Sequence, residues 1–519
     1  MSIIKTYPNK TTLFKKLLFH FFLITICVTS IHALGNTAFF KQIKDAAYDY
    51  VMFWHSDFAP TLVDSQDIQH TVLFDINEQS YRAWDSPSIT PRDKLQTLLQ
   101  TAIDGGAKVI GIDISLSWTS DGYMRESSDS PTDIALAEYL RGLNENQATA
   151  APLIFLTRHY RQPLDNTAAF LETPPNFLDA ALPVENNVFW TSTFFKMDED
   201  RVIRRWRLAP LVCQNERLTV VPSMPLLMTL AHLHSQTQDT RQAAKVIREF
   251  KKQWNIWAKQ FRCDEYQGKS LAELCQLKTC PDLTVTLPKK AHVNDTVHHV
   301  DLPEGYETEK VIYRFAPPDK PQTMQINLFE VKSAKAILAG KLAVDVAGQI
   351  VFIGVTHQDN GDYHPIPIRY KDVSGVYILA NAVDTLLRFG QFQPQTSAAK
   401  VKWLIVLIIG MTLVFTFLEI AAAFALTFII LGVLIGWSFY NLHHGIEIDF
   451  VLELLTIQLI QFLYWLGQKG LQVREALKDC QFRLPFDSKE IPNETTIKAL
   501  NDAEAFEGTR FENTDKLLF

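Results

Sequence analysis

Two aspartates carry most of the chemistry legible in the chain before any fold is known. Asp75 falls near the end of the apolar run Thr71-Val72-Leu73-Phe74-Asp75-Ile76, and Asp113 near the end of Lys108-Val109-Ile110-Gly111-Ile112-Asp113-Ile114. Short apolar runs closed by polar residues predict buried strands. Open α/β sheets bind ligands in the crevice beyond the carboxyl ends of their strands. Two carboxylates there can hold a cation, accept hydrogen bonds from a ligand, or pair with Arg92. They can equally cap helix N-termini or satisfy loop amides. Asp362 and His364, in the loop Gly361-Asp362-Tyr363-His364-Pro365-Ile366-Pro367, complete a set that a metal-dependent hydrolase could use. That reading is the least favoured, because neither a nucleophile nor a metal-binding geometry is visible. A glycine-rich phosphate loop, a Gly-x-Ser-x-Gly elbow and a His-Glu-x-x-His pair are all missing from the sequence. Cys275 and Cys280 lack the second Cys/His pair of a zinc site. No catalytic residue, metal or cofactor is therefore expected.

The elements that must position the two aspartates lie between them. Thr90-Pro91-Arg92-Asp93 predicts a helix start, with Thr90 as cap, Pro91 in the first turn and Asp93 closing a capping box. Leu95, Leu98, Leu99, Ala102 and Ile103 make one apolar face, and Gly105-Gly106 ends the helix. Strand, helix and strand at this spacing predict a βαβ unit of neighbouring parallel strands with a right-handed crossover. Further strands are expected at Pro152–Thr157, Val188–Thr193, Val311–Phe315 and Ile350–Thr356. The stretch 198–205 reads as a charged hairpin, Pro222–His232 as an apolar helix, and Gly375-Val376 as the start of a helix with Leu379, Val383, Leu386 and Leu387 on one face.

Around this α/β region the chain reads as membrane protein. Leu17–Leu34 is apolar and preceded by Lys5, Lys10, Lys15 and Lys16, which predicts a span with a cytoplasmic N-terminus. A cleaved signal peptide ending at Ala33-Leu34-Gly35 is the competing reading, and the run is long for one. Three more apolar runs follow, and Lys469, Arg474, Lys478 and Arg483 come after the last. The expected organisation is a cytoplasmic N-terminus at 1–16, spans at 17–35, 402–418, 420–440 and 450–467, and a cytoplasmic tail at 468–519. Residues 40–395 then form one periplasmic domain of a multi-pass protein of the bacterial inner (cytoplasmic) membrane. The net charge of −7 gives no support to nucleic-acid binding.

An ordered series of short motifs carries a family resemblance. Phe74-Asp75-Ile76 is followed by Pro91-Arg92 and by Gly106-Ala107-Lys108-Val109-Ile110-Gly111-Ile112-Asp113. Then come Asp200-Arg201-Val202 with Arg204-Arg205, Pro222-Ser223, Ile353-Gly354, Gly361-Asp362 with Pro367, and Gly375-Val376 with Ala380-Asn381. The series, over residues 40–395 with three trailing membrane helices, resembles the CHASE type 2 domain, the second class of cyclase/histidine-kinase-associated sensory extracellular domains. The resemblance implies a mixed-sheet α/β sensor with four transmembrane helices. It also implies that the last loop returns to the first βαβ unit, so that Asp75, Arg92, Asp113, Asp362 and His364 converge as a ligand-binding crevice.

Two departures shape the functional expectation. Residues 233–300 read as an insertion with little core of its own, stapled by a disulfide of Cys263 with Cys275 or Cys280. Family members usually continue into a kinase, cyclase or phosphodiesterase domain, and Gln468–Phe519 is too short to hold one. A stand-alone, non-enzymatic sensor is expected, embedded in the membrane and signalling through a protein partner. That partner is a kinase, cyclase or other regulator; the alternative is a structural or docking subunit of an envelope complex, and a homo-oligomer is compatible with both. The acidic, polar tail after Cys480 has too little apolar surface to fold alone and is expected to recruit the effector or to remain solvated.

Overall fold

Six parallel strands organise the protein, here in a computed structural model that describes residues 9–482 apart from 36, 63–70, 147–150, 161–170, 238, 267–268, 270, 282–283, 288–297, 302–308, 314–328, 341–343, 369–371, 391–392, 395–396, 419, 444–445 and 448–450. The strands are β1 (Thr71–Ile76), β2 (Val109–Asp113), β3 (Leu153–Thr157), β4 (Val188–Thr191), β5 (Phe329–Ser333) and β6 (Ile350–Val355). Their order is β5-β1-β6-β2-β3-β4, and every pairing is parallel. The sheet is therefore parallel rather than mixed. Each return to it runs through a crossover, which brings strands in along one direction. Antiparallel pairing is confined to small ladders outside it, such as Phe195–Met197 with Ile203–Trp206.

The expected βαβ unit forms, with one correction. β1 and β2 are not neighbours, because β6 enters between them and pairs with both. Its near-continuous apolar sequence suits a position buried on both faces. Two further elements differ from expectation. Residues 311–313 form no strand; the ladder is made by Glu309–Lys310 against Arg205–Trp206. Phe329–Ser333, which has no strong apolar run, is an edge strand instead.

Alternation along the strands divides the core in two. On one face Val72, Phe74, Ile110, Ile154, Val351 and Ile353 meet Leu95, Leu98 and Leu99 of α3 (Arg92–Asp104) and Leu136 and Leu140 of α4 (Pro131–Glu145). Pro91 itself is the N-cap residue of α3 and no side-chain cap bond forms there, so the Thr90 cap does not hold. Gly106, with φ +85°, ends the helix as expected. On the other face Leu73, Val109, Phe155 and Phe352 meet α5 (Met224–Thr237) and α7 (Gly375–Phe389).

The segment read as a weakly cored insertion belongs to this second face. Within it, α6 (Thr240–Ala258) buries Ile247, Phe250, Trp254 and Trp257 in the domain core. Its exit runs beside the hairpin Leu211–Val220, where Leu218 N donates to Phe261 O and Cys263 N to Glu216 O. Cys263 consequently pairs with Cys213, and Cys275 with Cys280, in place of the expected bridge between Cys263 and Cys275 or Cys280.

At the N-terminus α1 (Lys10–Leu34) is followed by α2 (Ala38–Leu62). After α7 come the helices Ser397–Phe417, Ile420–His443 and Val451–Phe482. Among the described residues, α1 alone is long and apolar enough to cross a membrane, while the later apolar stretches, Val401–Phe417 and Ala422–Ser438, are shorter. α1 lies against the helix Ser397–Phe417, where His20 Nδ1 and Thr416 Oγ1 make a buried contact of 2.9 Å. The chain divides into two compact units, Met1–Leu454 and Leu455–Phe519. Of the second, the described part is the rest of the helix that ends at Phe482, and the tail beyond it lies outside the described residues.

Candidate functional site

β6 sets the geometry of the two aspartates. Asp75 on β1 and Asp113 on β2 are both in register with Gly354 on β6, so all three lie on one face of the sheet. That face is covered by α7. A Cβ at Gly354 would stand 2.6 Å from Val376 Cγ2, which explains the glycine: it lets the first turn of α7 rest directly on the strand. The aspartates thus flank a helix N-terminus, where negative charge is favoured by the helix dipole.

Asp362 reaches the same place from the loop before α7. Its carboxylate lies against the Cα of Gly375, its carbonyl accepts the Gly375 N–H at 3.1 Å, and its Oδ1 meets His364 Nε2 at 2.8 Å. The His364 ring in turn meets Phe195 edge-on, with centroids 5.8 Å apart. The expected loop is a short hairpin, Tyr363–Pro365 with Asp372–Ser374, and Ser374 Oγ ties it to Val355 O at 2.6 Å.

Burial decides the electrostatics. Asp75 is 6% exposed, and desolvation raises its pKa to about 6 although Thr356 Oγ1 donates to it. Asp113 is raised to about 8, first by desolvation and then by the charge of Asp362; the Thr157 hydroxyl, 3.4 Å away, works weakly in the opposite direction. Near neutral pH Asp113 therefore keeps a proton that it can donate in a hydrogen bond, whereas Asp75 has largely lost its own and accepts.

Residues 23–417 match the family model of the CHASE2 domain. The chain belongs to the CHASE2 domain family. No curated protein and no solved structure matches it. CHASE2 domains are extracellular sensory domains rather than catalytic ones.

Within this CHASE2 fold Arg92 is placed differently from the acids. It is 1% exposed, and its guanidinium donates to Asp133 Oδ1 at 3.2 Å, to Trp118 O and to Thr90 O. Asp133 also accepts from Ser120 and Ser128, and its pKa is lowered: the bonds from Ser128 and Ser120 and the Arg92 charge outweigh the desolvation that opposes them. Arg92 thus ties α3 to the loop after β2 and to α4.

Several side chains around this corner of the CHASE2 domain have no signature in the sequence. Tyr363 Oη donates to Thr356 O, next to Asp75. Tyr81 stacks on His357 with ring centroids 3.8 Å apart, and burial lowers the His357 pKa, so the imidazole is neutral at physiological pH. Tyr377, in the first turn of α7, has its pKa raised to beyond the ordinary range by burial and by Asp75. Lone aromatics and histidines look like any other residue of their elements until the sheet brings them together. Among the described residues no group of three His, Cys, Asp or Glu side chains is arranged to hold a metal ion.

Proposed function

We propose that the protein is a membrane-anchored extracytoplasmic sensor that binds its ligand in the crevice of Asp75, Asp113, Asp362 and His364 and signals through a separate protein partner. One observation carries this reading: buried Asp75 and half-buried Asp113 flank the N-terminus of α7, and Asp362 rests directly on its first residue, Gly375. A ligand that hydrogen-bonds these carboxyls, or neutralises them as a cation would, changes the contacts at the start of a helix. Residues 375–387 of that helix are buried, so the change is passed on along a rigid rod. Arg92 belongs to the frame around the crevice. The domain is proposed to lie outside the cytoplasmic membrane, between α1 and three C-terminal spans, with both chain ends inside.

Crosslinking in living cells followed by recovery of the full-length chain tests the reading. A partner recovered with the wild type should be recovered in altered amount with Asp75→Asn and with Asp113→Asn at equal expression. A partner held in fixed stoichiometry by the wild type and both variants would instead mark a structural subunit of an envelope complex.

A further inference from the structure

α2 begins at Ala38, with three residues between it and the end of α1, so the N-terminal apolar helix is followed at once by a helix that docks on the domain. Its docking face carries Asp45, Tyr48, Asp49 and Met52, the i, i+3, i+4, i+7 spacing of one helix side. Opposite stands the hairpin of Phe195–Met197 and Ile203–Trp206. Arg204, 1% exposed, donates from Nε to Asp49 Oδ1 at 2.7 Å and from Nη1 to Asp198 at 3.1 Å and Asp200 at 2.9 Å. Arg205 joins Asp198 at 2.7 Å and Asp45 at 3.0 Å.

The segment 309–313 closes the joint. Tyr48 Oη donates to Val311 O at 3.1 Å, the Lys310 ammonium stands 4.4 Å from the Tyr48 ring centroid, and Val311 N donates to Arg204 O at 2.9 Å. One residue on, Ile312 N donates to Thr385 Oγ1 of α7 at 3.0 Å. Val51, Met52 and Ile312 form a small buried cluster against Tyr48, Phe389 and Ile435, the last from the helix Ile420–His443. Two routes therefore connect the crevice to α2. α7 starts beneath Asp362 and ends at this cluster, and the hairpin starts against His364 and ends at Arg204 and Arg205.

We propose that α2 is a latch, held on the domain by the ion pairs of Arg204 and Arg205, through which rearrangement at the crevice reaches the N-terminal membrane helix. The proposal rests on the sensor reading above. Its physical basis is that Asp49 has two distinct states, docked on the buried guanidinium through two hydrogen bonds or swung out into water, while Arg204 keeps Asp198 and Asp200 in both. A helix held in this way tends to release in one step rather than to yield gradually.

Hydrogen–deuterium exchange on the full chain in lipid nanodiscs tests the latch without a ligand or a partner. In Asp49→Asn the amides of α2 and of residues 311–313 should exchange at least tenfold faster, while β1 and β6 keep wild-type protection. Asp362→Asn, at the far end of both routes, should change α2 exchange at least threefold. That change should vanish in the double variant Asp49→Asn/Asp362→Asn, where the latch is already open. Unchanged α2 exchange in either single variant would overturn the proposal, as would additive effects in the double variant. Should Asp49→Asn also expose β1 and β6, Asp45→Ala, which removes the 3.0 Å bond from Arg205, is read by the same criteria. A negative result here removes the latch and leaves the sensor reading standing, whereas unaltered partner recovery in the crevice variants removes the sensor reading, and the exchange data then report only whether these ion pairs hold α2 on the domain.

Discussion

Asp75 and Asp113 stand on either side of one residue, Gly354, on a strand that arrives more than two hundred residues later in the chain. The glycine separates the two carboxyls by the width of β6 and admits α7 between them. The acids and the helix start are therefore parts of one structure, and changing any of them should be felt by the others.

Gly354→Ala tests this contact directly. The new methyl would meet Val376 Cγ2 at 2.6 Å and Val376 Cβ at 2.9 Å, and overpacking of this kind costs about 1–3 kcal/mol. Unfolding midpoints of the full chain should fall, and adding Val376→Ala should recover part of the loss. A substitution without effect would mean that α7 does not rest on β6.

The buried acids should give stability a definite pH dependence. Asp75 has a pKa of about 6 and Asp113 of about 8, against 3.8 for an ordinary aspartate. In the unfolded chain both lose their protons near pH 4, while the folded protein retains them to higher pH. The folded state therefore binds more protons over this interval, and stability falls as pH rises. The loss from Asp75 runs from about pH 4 to about pH 6 and is on the order of 3 kcal/mol; Asp113 extends the decline to about pH 8. Asp113→Asn should match the wild type near pH 4 and be the more stable protein at pH 8.5. A variant with the same advantage at both pH values would refute the assignment.

Arg92 should behave as a structural residue. Removing its partner with Asp133→Ala leaves a buried guanidinium unpaired, at a cost of about 3–5 kcal/mol. Thermal unfolding should register this loss. Retention of wild-type stability would show that the Arg92 charge is satisfied elsewhere.

Mass mapping without reduction should return Cys213–Cys263 and Cys275–Cys280. The first bridge spans 50 residues, for which chain entropy gives about 4 kcal/mol. The double replacement Cys213→Ser/Cys263→Ser should lower stability by a similar amount, and recovery of a Cys263–Cys275 peptide would contradict the fold around α6.

Membrane topology can be read by labelling single introduced cysteines in intact cells. Positions 44 and 394 should react from outside, and positions 10 and 498 only after permeabilisation. Labelling of position 498 from outside would rule out four spans with both termini in the cytoplasm.

Much of the local structure was legible because its causes are local. The apolar runs around Phe74, Ile112, Phe155 and Phe352 predict strands close to those observed, since a strand buried on both faces must be apolar along its length. The Leu95–Leu98–Leu99–Ala102 face predicts α3 for the same kind of reason, and the motif order that resembles the CHASE2 family agrees with the family match. These signals are periodicities within ten or fifteen residues, and no distant partner is needed to read them.

Tertiary structure alone decided which elements meet. β6 lies between β1 and β2 because strand order is set by how helices cover the two faces, and either order satisfies the local pattern. Arg92 turns to Asp133, 41 residues away, and Arg204 to Asp49, 155 residues away, because each buried guanidinium needs a carboxylate that only the folded chain brings near. Cys263 pairs with Cys213 rather than with its neighbours in sequence, because α6 carries it back along the hairpin at Leu218. The residue types announced that acids, guanidinium groups and thiols would need partners. Which partner each one took followed from burial, a property of the whole fold.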